Sequence, residues 1–413
     1  MSKILCLYSY QTSSWVSCQK IVANLWLNYK EASEEVISLH FGVEQKSQAF
    51  VALAERIINE KPATISFIDH RPHPLELLQY LVPMWMQKFN QLPEFIFHLY
   101  GDFTLNYAKW ASLARILKGA KVKFCVASNA QQKLLQKLYD GKSFIHPFSV
   151  QTHEFYYSDE LREKTRKELG VNEGKIFIFT GRLSYQKNIH LLVEQFLKHL
   201  DSTHSPDKLL LFGHFDDLGD PFINYQSPCG EYFHQIQNIL QNHPKRKQVE
   251  FKGMANSNTL NAYYNASDYF ISLSTHNDED FGMSIAESSI CGLPSILTGW
   301  GGFHDFNFTG NHFLKVKIES HKEIMIQPLA EILSSNHSVD RKLISKDARD
   351  KFSIESTTTN LKKILTAKSE EFDNFSNLFY KVQKNSQISH KMFINFDRHL
   401  NSLYREIYDS YLG

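Results

Sequence analysis

The chain has 413 residues, too many for one ordinary hydrophobic core and about right for two α/β domains. Its 42% hydrophobic and 22% charged residues, with 18 Gly and 12 Pro, exclude the disordered, collagen-like and low-complexity classes. Forty-five Lys and Arg against 44 Asp and Glu leave a net charge of +1, which excludes the global basic field of a nonspecific nucleic-acid binder. The chain opens on Met1 to Tyr8, a short apolar run with one basic residue and no small-residue cleavage pattern. It predicts a first strand rather than a secretory leader.

Strands are predicted over residues 4–8, 36–39, 64–68, 95–99 and 123–127, separated by stretches whose apolar residues recur every three or four positions. Strand–helix alternation of this kind predicts a parallel, doubly wound sheet. A polar stretch from Ser149 to Gly174 interrupts the pattern, which restarts with strands at 176–180, 209–212, 249–251, 269–273 and 295–298. The expected division is an N-terminal Rossmann-like domain over 1–155, a linker over 156–174, and a second Rossmann-like domain over 175–385. A helix over 386–413 is expected to pack back on the N-terminal domain. From His321 onward the pattern is helical with no further strand–helix unit, and an amphipathic stretch from Phe393 to Leu412 requires a surface to cover. No run reaches the roughly 20 apolar residues of a membrane span. The five cysteines, Cys6, Cys18, Cys125, Cys229 and Cys291, show no zinc-ligand spacing and suit reduced thiols in a cytoplasm.

Two windows carry chemistry. In the first, Thr275 to Pro294, an acidic loop leads through Gly282 into a short helix that stops at a Gly-x-Pro. The amides of Gly282 and Met283 then lie at a helix N-terminus, which attracts phosphate. Glu279 and Glu287, eight positions apart, can border one pocket and accept the hydrogen bonds that sugar and ribose hydroxyls donate. The second window, Phe179 to Asn188, is a strand end, a turn at Gly181 and a helix. It puts Arg182 and Lys187 where an anion meets the helix. A guanidinium fork and a mobile ammonium compensate a diphosphate without a metal. The same residues also suit a solvated acidic loop, and Asp278-Glu279-Asp280 could hold a divalent cation.

These windows resemble the retaining glycosyltransferases of the GT-B fold, family 4, also called glycosyl transferases group 1. The pair Glu279 and Glu287 with Phe281-Gly282 between them looks like that family's E-x7-E motif, and Gly181-Arg182-Leu183 with Lys187-Asn188 resembles its diphosphate motif. Weaker matches are Val249 to Gly253, Ala266 to Tyr269, Ser128 to Gln131 and Ile145 to Val150. The resemblance implies two facing Rossmann-like domains with a ligand cleft between them, and a transfer from a nucleotide-diphosphate sugar to an acceptor with retention. It implies that Arg182 and Lys187 neutralise the leaving diphosphate and that Glu287 holds the ribose. Glu279 and the amides of Phe281, Gly282 and Met283 would contact the transferred sugar, with Gly181 at the turn and His98 facing the anomeric carbon. No metal or other cofactor is implied. Gly301 to Asp305 resembles a glycine-pair turn that closes on the donor. The sequence departs from the family after the first strand, where Ser9 to Ser14 stands in place of a glycine pair.

Asp69, His70, Arg71 and His73 follow a predicted strand and could line the acceptor side. Residues 103–142 hold eight basic residues and one acidic, Asp140. With Trp110, Leu113 and Trp85 they could form a face for an anionic membrane bearing a lipid-linked acceptor. The expected setting is cytoplasmic, peripheral at the inner membrane face, in bacterial polysaccharide or glycoconjugate assembly, without nucleic acid as partner. A catalytically silent partner subunit and a sugar-nucleotide epimerase or hydrolase are the alternative readings.

Overall fold

The structure, a computed structural model, describes residues 3–9, 16–41, 47–68, 74–100, 107–217, 228, 230–277, 279–320, 323–333, 339–386 and 397–412. The chain forms two compact units, Met1–Ser149 with Ile354–Ile388, and Val150–Ser353 with Ser389–Gly413.

In unit 1, strands β1 (Ile4–Ser9), β2 (Val36–Phe41), β3 (Thr64–Phe67), β4 (Glu94–His98), β5 (Lys121–Val126) and β6 (Ser143–Ile145) alternate with helices. These are α1 (Val16–Ala32), α2 (Ser47–Glu60), α3 (Pro74–Lys88), α4 (Tyr107–Ile116) and α5 (Asn129–Leu138). The strands pair in parallel in the order β2-β1-β3-β4-β5, and β6 continues along β5. Continuous apolar runs such as Phe95-Ile96-Phe97 suit strands covered by helices on both faces. Trp85, Trp110 and Leu113 are buried in this core, so they are not the membrane-facing patch the sequence suggested. Lys123, one of the eight basic residues, is 1% exposed and lies 3.1 Å from Glu94.

In unit 2, the predicted linker is a helix, α6 (Asp159–Glu168), capped by Ser158. Its Arg162 and Arg166 both pair with Asp268, at 2.5 and 2.9 Å, which fixes it to the strand layer. There follow β7 (Ile176–Thr180), α7 (Ile189–Thr203), β8 (Lys208–Phe212), α8 (Glu231–Gln241), β9 (Val249–Gly253), α9 (Ser257–Ala266), β10 (Tyr269–Ser272), α10 (Met283–Ile290), β11 (Ser295–Thr298) and β12 (His312–Leu314). The sheet order is β9-β8-β7-β10-β11-β12, all parallel. The chain reverses its winding between β7 and β10, and open α/β sheets bind ligands outside the carboxyl ends of the strands at such a switch.

The tail departs from expectation. A hairpin of β13 (Val316–Ser320) and β14 (Glu323–Ile326) precedes α11 (Ala330–Leu333) and α12 (Arg341–Phe352). Then α13 (Ile354–Thr366), β15 (Glu370–Glu371) and α14 (Asn377–Ser386) belong to unit 1, where β15 pairs antiparallel with β5. The final helix α15 (Asp397–Tyr408) belongs to unit 2. Residues 354–388 thus return to the first unit and the last helix does not, the reverse of the predicted 175–385 and 386–413 allocation. Among the described residues no helix is long and apolar enough to cross a membrane.

Candidate functional site

Two loops of unit 2 meet at the switch between β7 and β10. The first runs from Gly181 to Asn188. Gly181 donates its N–H to Phe212 O at 3.0 Å, and Gly213 sits so close that an added Cβ would lie 1.8 Å from Gly181 O. With φ of +139° as well, Gly213 admits no other residue without a shift of the turn. This close approach aims Arg182 at Asp216, whose Oδ2 accepts its hydrogen bond at 3.2 Å. A 3-10 turn over Tyr185–Lys187 then presents Lys187, and Asn188 takes the left-handed conformation that leads into α7.

The second loop runs from Leu273 to Gly282. The Asn188 amide donates to Leu273 O at 2.8 Å and to Thr275 Oγ1 at 3.0 Å, and Thr275 N–H donates to Gln186 O. Lys187 Nζ donates to Glu279 Oε2 at 2.5 Å, and the Ser274 hydroxyl donates to the same oxygen. Glu279 is 7% exposed. Burial pulls the Lys187 ammonium below its ordinary pKa; the Glu279 carboxylate opposes that shift, and the Arg182 charge adds to it. His276 is held well below the usual imidazole range, first by burial and then by Lys187 and Arg182, so it is neutral at pH 7.

Behind the second loop, Thr298 Oγ1 donates to Ser274 O, Trp300 Nε1 to His276 O and Gly302 N–H to Glu279 O at 2.7 Å. An added Cβ on Gly302 would lie 2.2 Å from Asp280 O, so the predicted glycine pair acts as a close-packed brace on the acidic loop. Gly282 caps α10 with φ of +125°, and Ser284 Oγ donates to Thr180 O at 2.9 Å, pinning the helix start to the end of β7. The amides of Met283 and Ser284 precede the first intrahelical bonds, in which Ile285 and Ala286 N–H both donate to Gly282 O at 3.0 Å. The Phe281 ring is buried against Phe306 and Phe352, so its side chain belongs to the core.

Glu287, in the middle of α10, is 4% exposed. It lies near the Tyr264 phenol, whose pKa is raised by burial and then by the Glu287 charge, and Tyr264 shares a 2.7 Å hydrogen bond with Thr180 Oγ1. The structure therefore gathers Gly181, Arg182, Lys187, Glu279, Phe281, Gly282, Met283 and Glu287 around the ends of β7 and β10. Buried polar groups are almost always hydrogen-bonded. Against that rule, Ser184 Oγ, both amide atoms of Gln186, His276 Nδ1 and Asn277 Nδ2 are buried with no hydrogen bond among the described residues. All five atoms lie on these two loops.

His98 belongs to unit 1 and is 3% exposed. Its Nε2 shares a 2.9 Å hydrogen bond with Tyr29 and its Nδ1 one of 2.9 Å with Tyr100, which also reaches His146 Nδ1. Both ring nitrogens are thus satisfied by protein groups. Burial and then the neighbouring His146 hold His98 well below the usual range, and burial takes His146 down to about 4. Asp69, His70, Arg71, His73, residues 10–14 and Asp278 lie outside the described residues. Among those described, no group of three or more His, Cys, Asp or Glu could hold a metal.

Asp216, Ser274, His276, Asn277 and Trp300 were not singled out by the sequence. None falls in a spaced pattern; the one available signal was that 274–280 packs seven polar residues between a strand and a helix.

Residues 161–348 match the family described as Glycosyl transferases group 1. An uncharacterised glycosyltransferase of Methanocaldococcus jannaschii is 25% identical over 188 residues, 45% of this chain and 42% of the relative. The alpha-monoglucosyldiacylglycerol synthase of Streptococcus pneumoniae is 24% identical over 236 residues, 53% of this chain and 49% of the relative. The match thus spans about half the length of these curated relatives or less. Among solved structures, Anabaena HepE in complex with UDP-glucose superposes with a TM-score of 0.63 at 15% identity, over 89% of this chain and 100% of that one. By its motifs, its fold and the match across 161–348, the chain resembles the GT-B glycosyltransferases, the glycosyl transferases of group 1.

Proposed function

We propose that the protein is a retaining glycosyltransferase that moves a sugar from a nucleotide diphosphate to an acceptor hydroxyl. The observation that carries the reading is the Lys187–Glu279 pair beside Arg182 and the N-terminus of α10 at the β7/β10 switch. A diphosphate entering there meets two cations and the first amides of a helix, while the carboxylates of Glu279 and Glu287 accept from sugar and ribose hydroxyls. The five orphaned polar atoms on the same loops support a polar ligand at this place. So do the relative named as an alpha-monoglucosyldiacylglycerol synthase and the UDP-glucose in the HepE structure.

In the transfer, the bond from the anomeric carbon to the β-phosphate oxygen breaks and the acceptor oxygen bonds to that carbon on the same face. The acceptor proton passes to the departing phosphate oxygen. Arg182 and Lys187 compensate the charge that develops on the diphosphate, the role a metal would otherwise fill. His98, with both nitrogens engaged, is not needed as the base in this scheme. Assembly of a bacterial polysaccharide or glycoconjugate is the proposed setting.

The test is calorimetric titration of UDP-, GDP- and ADP-sugars with and without EDTA, against the wild type and an Arg182→Ala, Lys187→Ala double variant. Binding that survives EDTA and disappears in the variant is expected. No binding by any donor would favour the silent-partner reading, and binding lost to EDTA would require a metal.

A further inference from the structure

The last helix is not explained by the transfer chemistry, yet it reaches the site. Leu403, Tyr404, Ile407, Tyr408 and Tyr411 of α15 and the turn after it are buried within unit 2. Spacings of three and four put these five residues on one helical face. The Tyr404 hydroxyl donates to Asn277 Oδ1 at 2.7 Å. The Tyr411 hydroxyl reaches Asp280 Oδ1 at 3.5 Å. Between them the Trp300 ring stacks on Tyr408, with centroids 6.2 Å apart, and meets Tyr411 edge-on at 5.4 Å. Trp300 in turn donates to His276 O at 2.8 Å. An added Cβ on Gly301 would lie 2.5 Å from Glu279 O and 3.1 Å from the Tyr411 ring, so only a glycine lets the brace sit between loop and helix. Arg405 anchors the far side by donating to Glu319 O at 2.7 Å.

His276, Asn277, Glu279 and Asp280 are therefore held by the last helix, directly or through Trp300 and Gly301. The grip also orients one side chain. Because the Asn277 carbonyl oxygen is taken by Tyr404, the amide nitrogen forms the other arm of a fixed plane, buried and without a hydrogen bond among the described residues. A fixed, unpaired N–H donor needs an acceptor oxygen, and a sugar hydroxyl offers one.

We propose that residues 397–411 form an aromatic clamp on the sugar-binding loop, in which Tyr404 and Tyr411 are positioning residues and the Asn277 amide is a binding contact to the donor's sugar. The inference rests on the functional reading above for the identity of the ligand, and on the contacts alone for the clamp. Of the groups assigned to the diphosphate and ribose, Arg182 and Glu287 lie outside the clamped segment, and Lys187 touches it only at Glu279, which is held there by Ser274 as well. Loosening the clamp should therefore reduce the affinity that the sugar adds and leave the affinity for the bare nucleotide.

The experiment compares wild type, Tyr404→Phe, Tyr411→Phe, Asn277→Ala and the Tyr404→Phe, Asn277→Ala double variant. Affinities for UDP, GDP and ADP and for their glucose conjugates are measured by calorimetry, and amide exchange over 274–283 by mass spectrometry. Tyr404→Phe is expected to speed exchange over 274–283 and to weaken the sugar nucleotide about three- to tenfold, the worth of one hydrogen bond, with the matching diphosphate changed less than about twofold. The double variant should lose no more than Asn277→Ala alone, because the tyrosine acts through that amide. Unchanged exchange, equal losses for nucleotide and sugar nucleotide, or additive losses would each overturn the clamp. If the wild type binds no sugar nucleotide, the transferase reading fails and exchange alone decides the clamp. If Tyr404→Phe does not fold, Tyr411→Phe tests the clamp through Asp280, by the same faster exchange and the same selective loss for the sugar nucleotide.

Discussion

The two units are built on one plan and use their polar residues in opposite ways. In unit 1, His98, Tyr29, Tyr100 and His146 satisfy one another inside the core, with His146 Nε2 the one buried orphan of that group. In unit 2, the polar residues at the β7/β10 switch form ion pairs and, among the described residues, leave five buried atoms unsatisfied. A closed network stabilises, whereas an incomplete one is kept where a ligand completes it. The topologies differ in the same sense. The winding reverses in unit 1 between β1 and β3, away from His98 at the end of β4, while in unit 2 it reverses at the site itself.

The contrast can be broken from either side. Glu94→Ala would leave Lys123 buried without its carboxylate, and a loss of about 3–5 kcal/mol of stability is expected from urea unfolding, with nucleotide affinity unchanged in the folded protein. A shift in affinity would show that unit 1's buried pair also serves the site. Glu279→Gln, which keeps an acceptor oxygen for Lys187 and Ser274, should do the reverse: a turnover loss of about a hundred- to a thousandfold, read by product formation, with a smaller loss of stability than Glu94→Ala. Retained turnover would reduce the Lys187–Glu279 pair to a structural contact.

The smallest expected effect sharpens the contrast through pH. His98 and His146 are kept neutral in the fold, so the unfolded chain binds more protons below its imidazole pKa of about 6.5. Stability should be complete above that pH and fall as the solution is acidified toward about 4, where His146 titrates in the fold. Each histidine contributes at most about 1.4 kcal/mol per pH unit. In His98→Phe the slope measured by acid unfolding should be shallower. An unchanged slope would mean that protonation elsewhere drives it.

Much of this was legible in the residues. The ten predicted apolar runs appear as strands within a residue or two of their expected ends, because parallel strands covered on both faces need such runs. The edge strands β6 and β12, with three residues each, and the partly buried hairpin of β13 and β14 carry no comparable run. Helix α6 looked like a linker because it buries only Thr165; two arginines on Asp268 hold it, and that pairing spans about a hundred positions. That Arg182, Lys187, Glu279 and Glu287 would lie on the two loops at the strand ends was legible from the strand–turn–helix pattern of their windows. Their partners were not, since Asp216 and Ser274 reach them only through the folded sheet. Amphipathicity told that the last helix would cover something, and could not tell that Trp300 was what it covers.

The division of the chain bears on how it can be made. Strand β5 waits for β15, α1 waits for α13, and the loop over 274–282 waits for α15, so neither unit has all its parts until the ribosome has passed residue 388. An emerging first unit must hold its unfinished sheet edge in the open while roughly two hundred residues of the second are still being added, an interval in which unpaired strands invite misassembly. Cutting the gene at the boundary between the two sheets would thus yield two incomplete pieces rather than two domains. A separable second unit would have to be spliced from residues 150–353 joined to 389–413.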